Sequence, residues 1–143
     1  AIDNWNRIYG KNGFTQYQFI LPKEASFSGL EEILEKISNS GKGSFLAVLK
    51  LYGKANKNYL SFPMEGYSLA LDFKIEKGLF DLLDDLDTIV IKYGGRIYLA
   101  KDSRVSKAVF EQGYPHINKF RELRKRYQMD KKFNSLQSRR IGI

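Results

Sequence analysis

Two amphipathic helical segments interleaved with four strand-like segments, the clean alternation of residues 67–75, and a charge that gathers at one end of the chain predict an α+β fold. The expected architecture is a ferredoxin-like βαββαβ antiparallel sheet with helices on one face, followed by a basic helical C-terminal tail.

The first strand is expected over Phe14-Thr15-Gln16-Tyr17-Gln18-Phe19-Ile20-Leu21, between Gly13 and Pro22, because β-formers dominate it. Period-2 geometry places Gln16 and Gln18 on one face with Phe14 and Ile20. Ser26 or Ser28 is expected to cap a helix through Ile37, with Leu30, Ile33, Leu34 and Ile37 on one face and Gly41 and Gly43 ending it. Phe45 to Tyr52 reads as the second strand. Its near-continuous apolar character predicts a central position, with Lys50 as the one charge inside it.

A polar loop at Lys54–Asn58 and a turn at Glu65-Gly66 lead to the clearest strand. Tyr67, Leu69, Leu71, Phe73 and Ile75 share one side of it; Ser68, Ala70, Asp72 and Lys74 share the other. The helix expected over residues 79–93 turns Leu79, Leu82, Leu83, Leu86, Ile89 and Val90 inward. Asp81, Asp84, Asp85 and Asp87 crowd its first half, where the helix dipole favours negative charge. Their spacing matches no calcium loop, so they read as a solvated face and no metal is expected. Gly94-Gly95 stops this helix, and Ile97-Tyr98-Leu99 reads as the fourth strand. Helices are expected at about 105–112, 117–128 and 131–137. Phe120, Leu123 and Tyr127 form one apolar stripe there, among Arg121, Arg124, Lys125 and Arg126.

At 143 residues, 43% of them hydrophobic and 14% aromatic, the chain can bury a core of its own as one domain, or form part of a longer protein. It starts without Met, which points to a piece cut from a longer chain. No apolar run approaches the ~18 residues of a membrane span, and the start, Ala1-Ile2-Asp3-Asn4-Trp5, lacks the basic-then-apolar pattern of a secretory leader. The compartment stays open, with the cytoplasm as the expectation. Cysteine is absent, which excludes disulfides and thiolate nucleophiles, and the single His116 argues against histidine-built metal sites and Ser/His/Asp catalysis. The net charge is +8. Residues 101–143 hold 12 Lys/Arg against four Asp/Glu, while residues 1–100 hold 12 of each. A neutral body with a basic tail suits an acidic partner: nucleic acid, phosphate groups, another protein or an anionic membrane surface, so association with a membrane surface stays open.

Three segments together carry a resemblance. They are Phe14-Thr15-Gln16-Tyr17-Gln18-Phe19, then Leu60-Ser61-Phe62-Pro63-Met64-Glu65-Gly66-Tyr67-Ser68-Leu69-Ala70-Leu71-Asp72-Phe73, then Gly95-Arg96-Ile97-Tyr98-Leu99-Ala100-Lys101-Asp102-Ser103-Arg104, with Phe133 to Arg140 matching as well. They resemble the C-terminal half of the FAD-linked oxidases of the vanillyl-alcohol-oxidase type, over roughly residues 10–143. The resemblance implies a cap domain for the substrate at residues 1–95. It implies a segment at 96–143 that completes the FAD domain. The FAD would be bound mainly by an N-terminal domain of the same polypeptide, absent from this chain, so the chain alone is expected to be inactive. The implied reaction is hydride transfer from a hydroxyl-bearing carbon of a sugar-like alcohol to the flavin.

By the same resemblance Lys101 is the catalytic and cofactor-contacting cation, and Tyr98 also approaches the flavin. Gln16 and Gln18 face the substrate. Two amides on a sheet face can read sugar hydroxyls as donors and acceptors. Lys50 and Tyr52 face one side of their strand. A pocket wall, a sheet edge or a salt bridge to Asp72 would each explain a lysine there. Ser68 stands where the family often has a polar group, and Ala70 where some members carry Cys, which removes thiol chemistry at that point.

The alternative is a nucleic-acid-binding module, since a βαββαβ sheet with aromatics and a basic tail also describes an RNA-recognition domain. Its signature fails at several places in the nearest segment, Lys42-Gly43-Ser44-Phe45-Leu46, so no nucleic acid is expected as partner.

Overall fold

The computed structural model describes residues 3–143, apart from the side chains of Trp5 and Asn6. Ala1 and Ile2, in the opening stretch read above as lacking a leader, lie outside the described residues. The elements run β1 (Phe14–Pro22), α1 (Ser26–Asn39), β2 (Ser44–Tyr52), β3 (Gly66–Lys74), α2 (Leu79–Lys92) and β4 (Arg96–Ile97). Four short helices follow: α3 (Lys107–Gly113), α4 (Ile117–Arg126), α5 (Met129–Lys132) and α6 (Leu136–Ile141). The sheet order is β2-β3-β1-β4, with every pair antiparallel. This is the α+β, ferredoxin-like arrangement expected from the sequence.

Register decides which side chains meet. Tyr17 stands opposite Leu71 and Phe19 opposite Leu69, so these four point to one side. There they join Ile33 and Ile37 of α1 and Leu79, Leu82, Leu83, Leu86 and Val90 of α2 in the core. Each such side chain contributes about 1.5–3 kcal/mol by leaving water. The opposite face carries Gln16, Gln18 and Ile20 of β1 beside Ser68, Ala70 and Asp72 of β3. Val105, Phe110, Tyr114, Ile117 and Ile141 extend the core, so the tail helices pack on the body.

The structure corrects several expectations. β2 lies at the sheet edge, not at its centre, and Leu49 and Leu51 are 57% and 63% exposed. A continuous apolar run marks a strand covered on both faces only if helices reach it; α1 and α2 pack over β1 and β3 instead. Leu34 of α1 is exposed as well, because the buried stripe is Ile33 and Ile37 with Leu30 beside them. Neither Ser26 nor Ser28 caps α1. Ser26 lies inside it and donates to the carbonyls of Leu21 and Pro22 at 3.1 and 2.7 Å, tying helix to strand. The fourth strand is Arg96–Ile97, after which the backbone tightens into a 3₁₀ turn at Leu99–Lys101. Tyr98 still donates its N–H to Gln18 O at 2.8 Å, so the turn starts hard against β1.

Two glycines are required by close approach. A Cβ on Gly66 would stand 1.9 Å from Leu21 O, and one on Gly95 would stand 2.4 Å from Ile20 O.

Candidate functional site

The face of the sheet opposite α1 and α2 is where most of the residues singled out above converge. Gln16 and Asp72 are direct cross-strand partners there. Gln16 donates through Nε2 to Asp72 Oδ1 at 3.0 Å and accepts through Oε1 from Lys101 Nζ at 2.7 Å. Lys101 is exposed, and Gln16 is the one hydrogen-bond partner of its ammonium among the described residues. The ammonium therefore keeps donors available for a further group.

Gln18 and Ser68 are buried at 4% and 0% exposure and bind each other, Gln18 Nε2 donating to Ser68 Oγ at 3.1 Å. Lys50 stands across from Ser68 at the open edge, exposed and without an ion pair among the described residues. The suggested bridge from Lys50 to Asp72 is not made, because Asp72 is taken by Gln16 and by Tyr9, whose hydroxyl donates to it at 3.5 Å.

Phe62, from the loop between β2 and β3, covers the middle of this face. Its ring centroid lies 5.9 Å from that of Tyr52 on the outer strand and 4.5 Å from that of Tyr98 at the far side. A ring that touches both must lie over the central strands β3 and β1. Arg96 holds the loop from the other side, donating from Nη1 to Ser61 O at 2.8 Å. The Arg96 guanidinium also rests 5.3 Å from the centre of the Tyr114 ring. Burial lowers the pKa of Arg96 and raises that of Tyr114.

The turn carrying Lys101 is fixed by its neighbours. Asp102 Oδ1 accepts from the backbone N–H groups of Arg104 and Val105 at 2.9 and 2.7 Å, and Arg140 of α6 donates to Asp102 Oδ2 at 2.7 Å. Arg140 also reaches Val105 O. Gln137 Nε2 donates to Leu99 O at 2.7 Å. Arg104 runs down to α2, where it pairs with Asp84 and with buried Asp87. Tyr17 donates its hydroxyl to Asp87 Oδ1 at 3.0 Å.

Burial raises the pKa of Asp87, and the bonds from Arg104 and Tyr17 draw it back without cancelling the rise. Burial, with Asp87 beside it, drives the Tyr17 phenol well above its ordinary value. Asp87 is thus not part of a solvated face, which corrects the reading of the aspartate cluster. Among the described residues no group of His, Cys, Asp or Glu could hold a metal ion.

Sequence reasoning passed over Asp72, Phe62 and Arg104 as parts of this site. Asp72 lay on the polar side of the clearest strand, and that position was its signal. Arg104 belonged to the quoted motif, but nothing in its spacing pointed to α2.

Fold and face together define a class: an α+β domain that sets an exposed lysine beside a sheet face whose amide and hydroxyl groups are mostly buried. The chain is similar to decaprenylphosphoryl-beta-D-ribose oxidase of Mycolicibacterium smegmatis, with 42% identity over 139 residues, or 97% of this chain and 30% of that protein. It is also similar to an uncharacterized protein in the mprA 5′ region of Streptomyces coelicolor, 36% identical over 115 residues, or 80% of this chain and 31% of that protein. No family model matches the chain. The resemblance read from the sequence thus extends along nearly the whole chain, and the chain spans just under a third of the length of these curated relatives.

Proposed function

We propose that this chain is the substrate-binding C-terminal part of an FAD-dependent oxidoreductase that oxidises a hydroxyl-bearing carbon of a sugar-like alcohol. The observation that carries the reading is the Lys101 ammonium, held at 2.7 Å by Gln16 on a polar sheet face, in a chain 42% identical to an oxidase of a ribose derivative. Residues 1–95 form the cap over the substrate, and residues 96–143 complete the FAD domain. That domain is contributed by the rest of the polypeptide.

The donor set suits such a group. Lys101 has spare donors beside the Tyr98 segment, and a cation there stabilises negative charge on a reduced ring system or a polarised hydroxyl. When bound, the flavin supplies the hydride acceptor. Lys101 orients the substrate hydroxyl, while Gln16, Lys50 and Tyr52 line the wall that receives the sugar, and the buried Gln18–Ser68 pair backs it. Phe62 and Tyr98 keep water from the floor of that wall.

A groove of about 650 Å³ between residues 57–61 and α4, lined by Lys57, Tyr59, Phe120 and Leu123, suits contact with the FAD domain. The middle of the open face, from Gln16 to Ile20 and from Ser68 to Asp72, carries amides, small groups and a carboxylate but no aromatic ring of its own strands. That leaves an RNA reading without its stacking platform.

The test is Lys101→Ala in the full-length protein. Flavin reduction by substrate slows far more than FAD binding weakens. An unchanged rate of reduction removes Lys101 from the chemistry. Absence of a yellow, substrate-bleached product in the full-length protein removes the reading altogether.

A further inference from the structure

Asp72 is a carboxylate only 5% exposed, and the reading above gives it no task. It has no ion pair among the described residues; its side-chain partners are Gln16 Nε2 at 3.0 Å and the Tyr9 hydroxyl at 3.5 Å. A carboxylate can only accept, whereas a carboxamide has one donating and one accepting end. Asp72 therefore allows Gln16 a single orientation, Nε2 toward β3 and Oε1 away from it. Lys101 Nζ meets that outward oxygen, at 2.7 Å. With the amide turned over, donor would face donor at the ammonium and acceptor would face acceptor at Asp72. The negative charge of Asp72 is thus answered by the positive charge of Lys101 through one amide dipole, across strands whose register is fixed by the core on their other side.

We infer that Asp72 is a positioning residue. It acts through Gln16 to set the Lys101 ammonium over the open face, so that Asp72, Gln16 and Lys101 work as one unit. The inference deepens the proposed function and rests on the role given there to Lys101.

The experiment uses the full-length flavoprotein with Asp72→Leu, Gln16→Glu, the double change Gln16→Glu with Asp72→Asn, and Lys101→Met as reference. Asp72→Leu keeps the branched outline, with larger methyls in place of the oxygens, and removes the acceptor; flavin reduction at saturating substrate slows at least tenfold. Gln16→Glu alone sets two carboxylates against each other and slows reduction similarly. The double variant places an accept-only group at position 16 between two donors, the amide introduced at position 72 and Lys101. It recovers the rate to within about threefold of the parent. A merely structural role for Asp72 gives no such rescue. A double variant no faster than the slower single variant overturns the inference.

Crystal structures of the parent and of Asp72→Leu provide the second readout. Lys101 is expected to leave Gln16 in the variant, and a Lys101 still bonded to Gln16 Oε1 there overturns the inference whatever the rates. If Asp72→Leu does not fold, the contact between Lys101 and the carboxylate introduced at position 16 of the double variant decides in its place. If Lys101→Met reduces as fast as the parent, the reading of Lys101 fails separately, and the crystallographic contact still decides the claim about Asp72.

Discussion

One nitrogen of Arg104, Nη2, reaches both carboxylate oxygens of Asp87, at 2.8 and 2.9 Å, in a place where the Asp87 side chain is only 2% exposed. Removing Asp87 leaves the largely buried Arg104 with only the exposed Asp84 as counter-charge and takes the acceptor from the buried Tyr17 hydroxyl. Asp87→Ala is expected to cost about 3–5 kcal/mol. The double change Asp87→Leu with Arg104→Met, which removes both charges, is expected to cost less than that single change. Urea unfolding of the three proteins checks the order, and a double variant less stable than Asp87→Ala contradicts it.

Glu32 shows the opposite behaviour at the surface. Hydrogen bonds from Lys92 Nζ at 2.7 Å and Tyr93 OH at 2.8 Å hold its carboxyl below the ordinary value of 4.5. A carboxyl with a depressed folded value contributes stability that is fully present above the ordinary value and is lost as pH falls through the folded one. The parent is therefore expected to lose stability on acidification below about pH 4.5 by an amount that Glu32→Gln does not show. Denaturation midpoints of both proteins at about pH 7, 4.5 and 3 give the comparison across that window. Parallel curves would remove this pair from the acid response.

Phe62 is 5% exposed although it belongs to a loop. Phe62→Ala is expected to cost about 3 kcal/mol, at the low end of buried aromatic truncations because the loop can settle into the gap. Thermal melts measure the loss. A change within about 0.5 kcal/mol, the range of ordinary surface substitutions, would mean that the ring does not hold the loop to the sheet.

Gly66→Ala sets a methyl against the Leu21 carbonyl, a backbone atom that cannot rotate away. The expected cost is about 1–3 kcal/mol or more, as for overpacking in a core. Gly43→Ala, with nothing within 4 Å of the added carbon, serves as the control. Equal stabilities of the two variants would show that β1 and β3 separate without penalty at this corner.

The alternation from Tyr67 to Phe73 and the spacing of Leu79, Leu82, Leu83 and Leu86 were enough to read sheet and helix, because each depends on local periodicity alone. The place of β2 was not legible. A run such as Phe45 to Leu51 says that residues are apolar, not that a helix reaches over them. Alternation made Gln16 and Gln18 legible as sharing one face of their strand and Ser68 as lying on the polar face of its own, while Lys101 and the grouping of the four came only from the motif and the resemblance it carries. The pairing of Gln18 with Ser68, the cover of Phe62 and the link from Arg104 to Asp87 were not legible, since each joins positions whose meeting depends on register and chain crossing. Asp87 was misread for the same reason: helix position alone cannot tell which carboxylate a distant arginine will claim.

The turn around Lys101 is held by Gln137 and Arg140, side chains 35 to 38 positions farther along the chain. On a ribosome, which releases the polypeptide from its N-terminus, sheet and flanking helices can form while those two residues are still inside the exit tunnel. The lysine would be immobilised only after α6 has emerged and folded back, well after the strand that precedes it has paired. A nascent chain stalled before that point would have an assembled scaffold and an unset lysine.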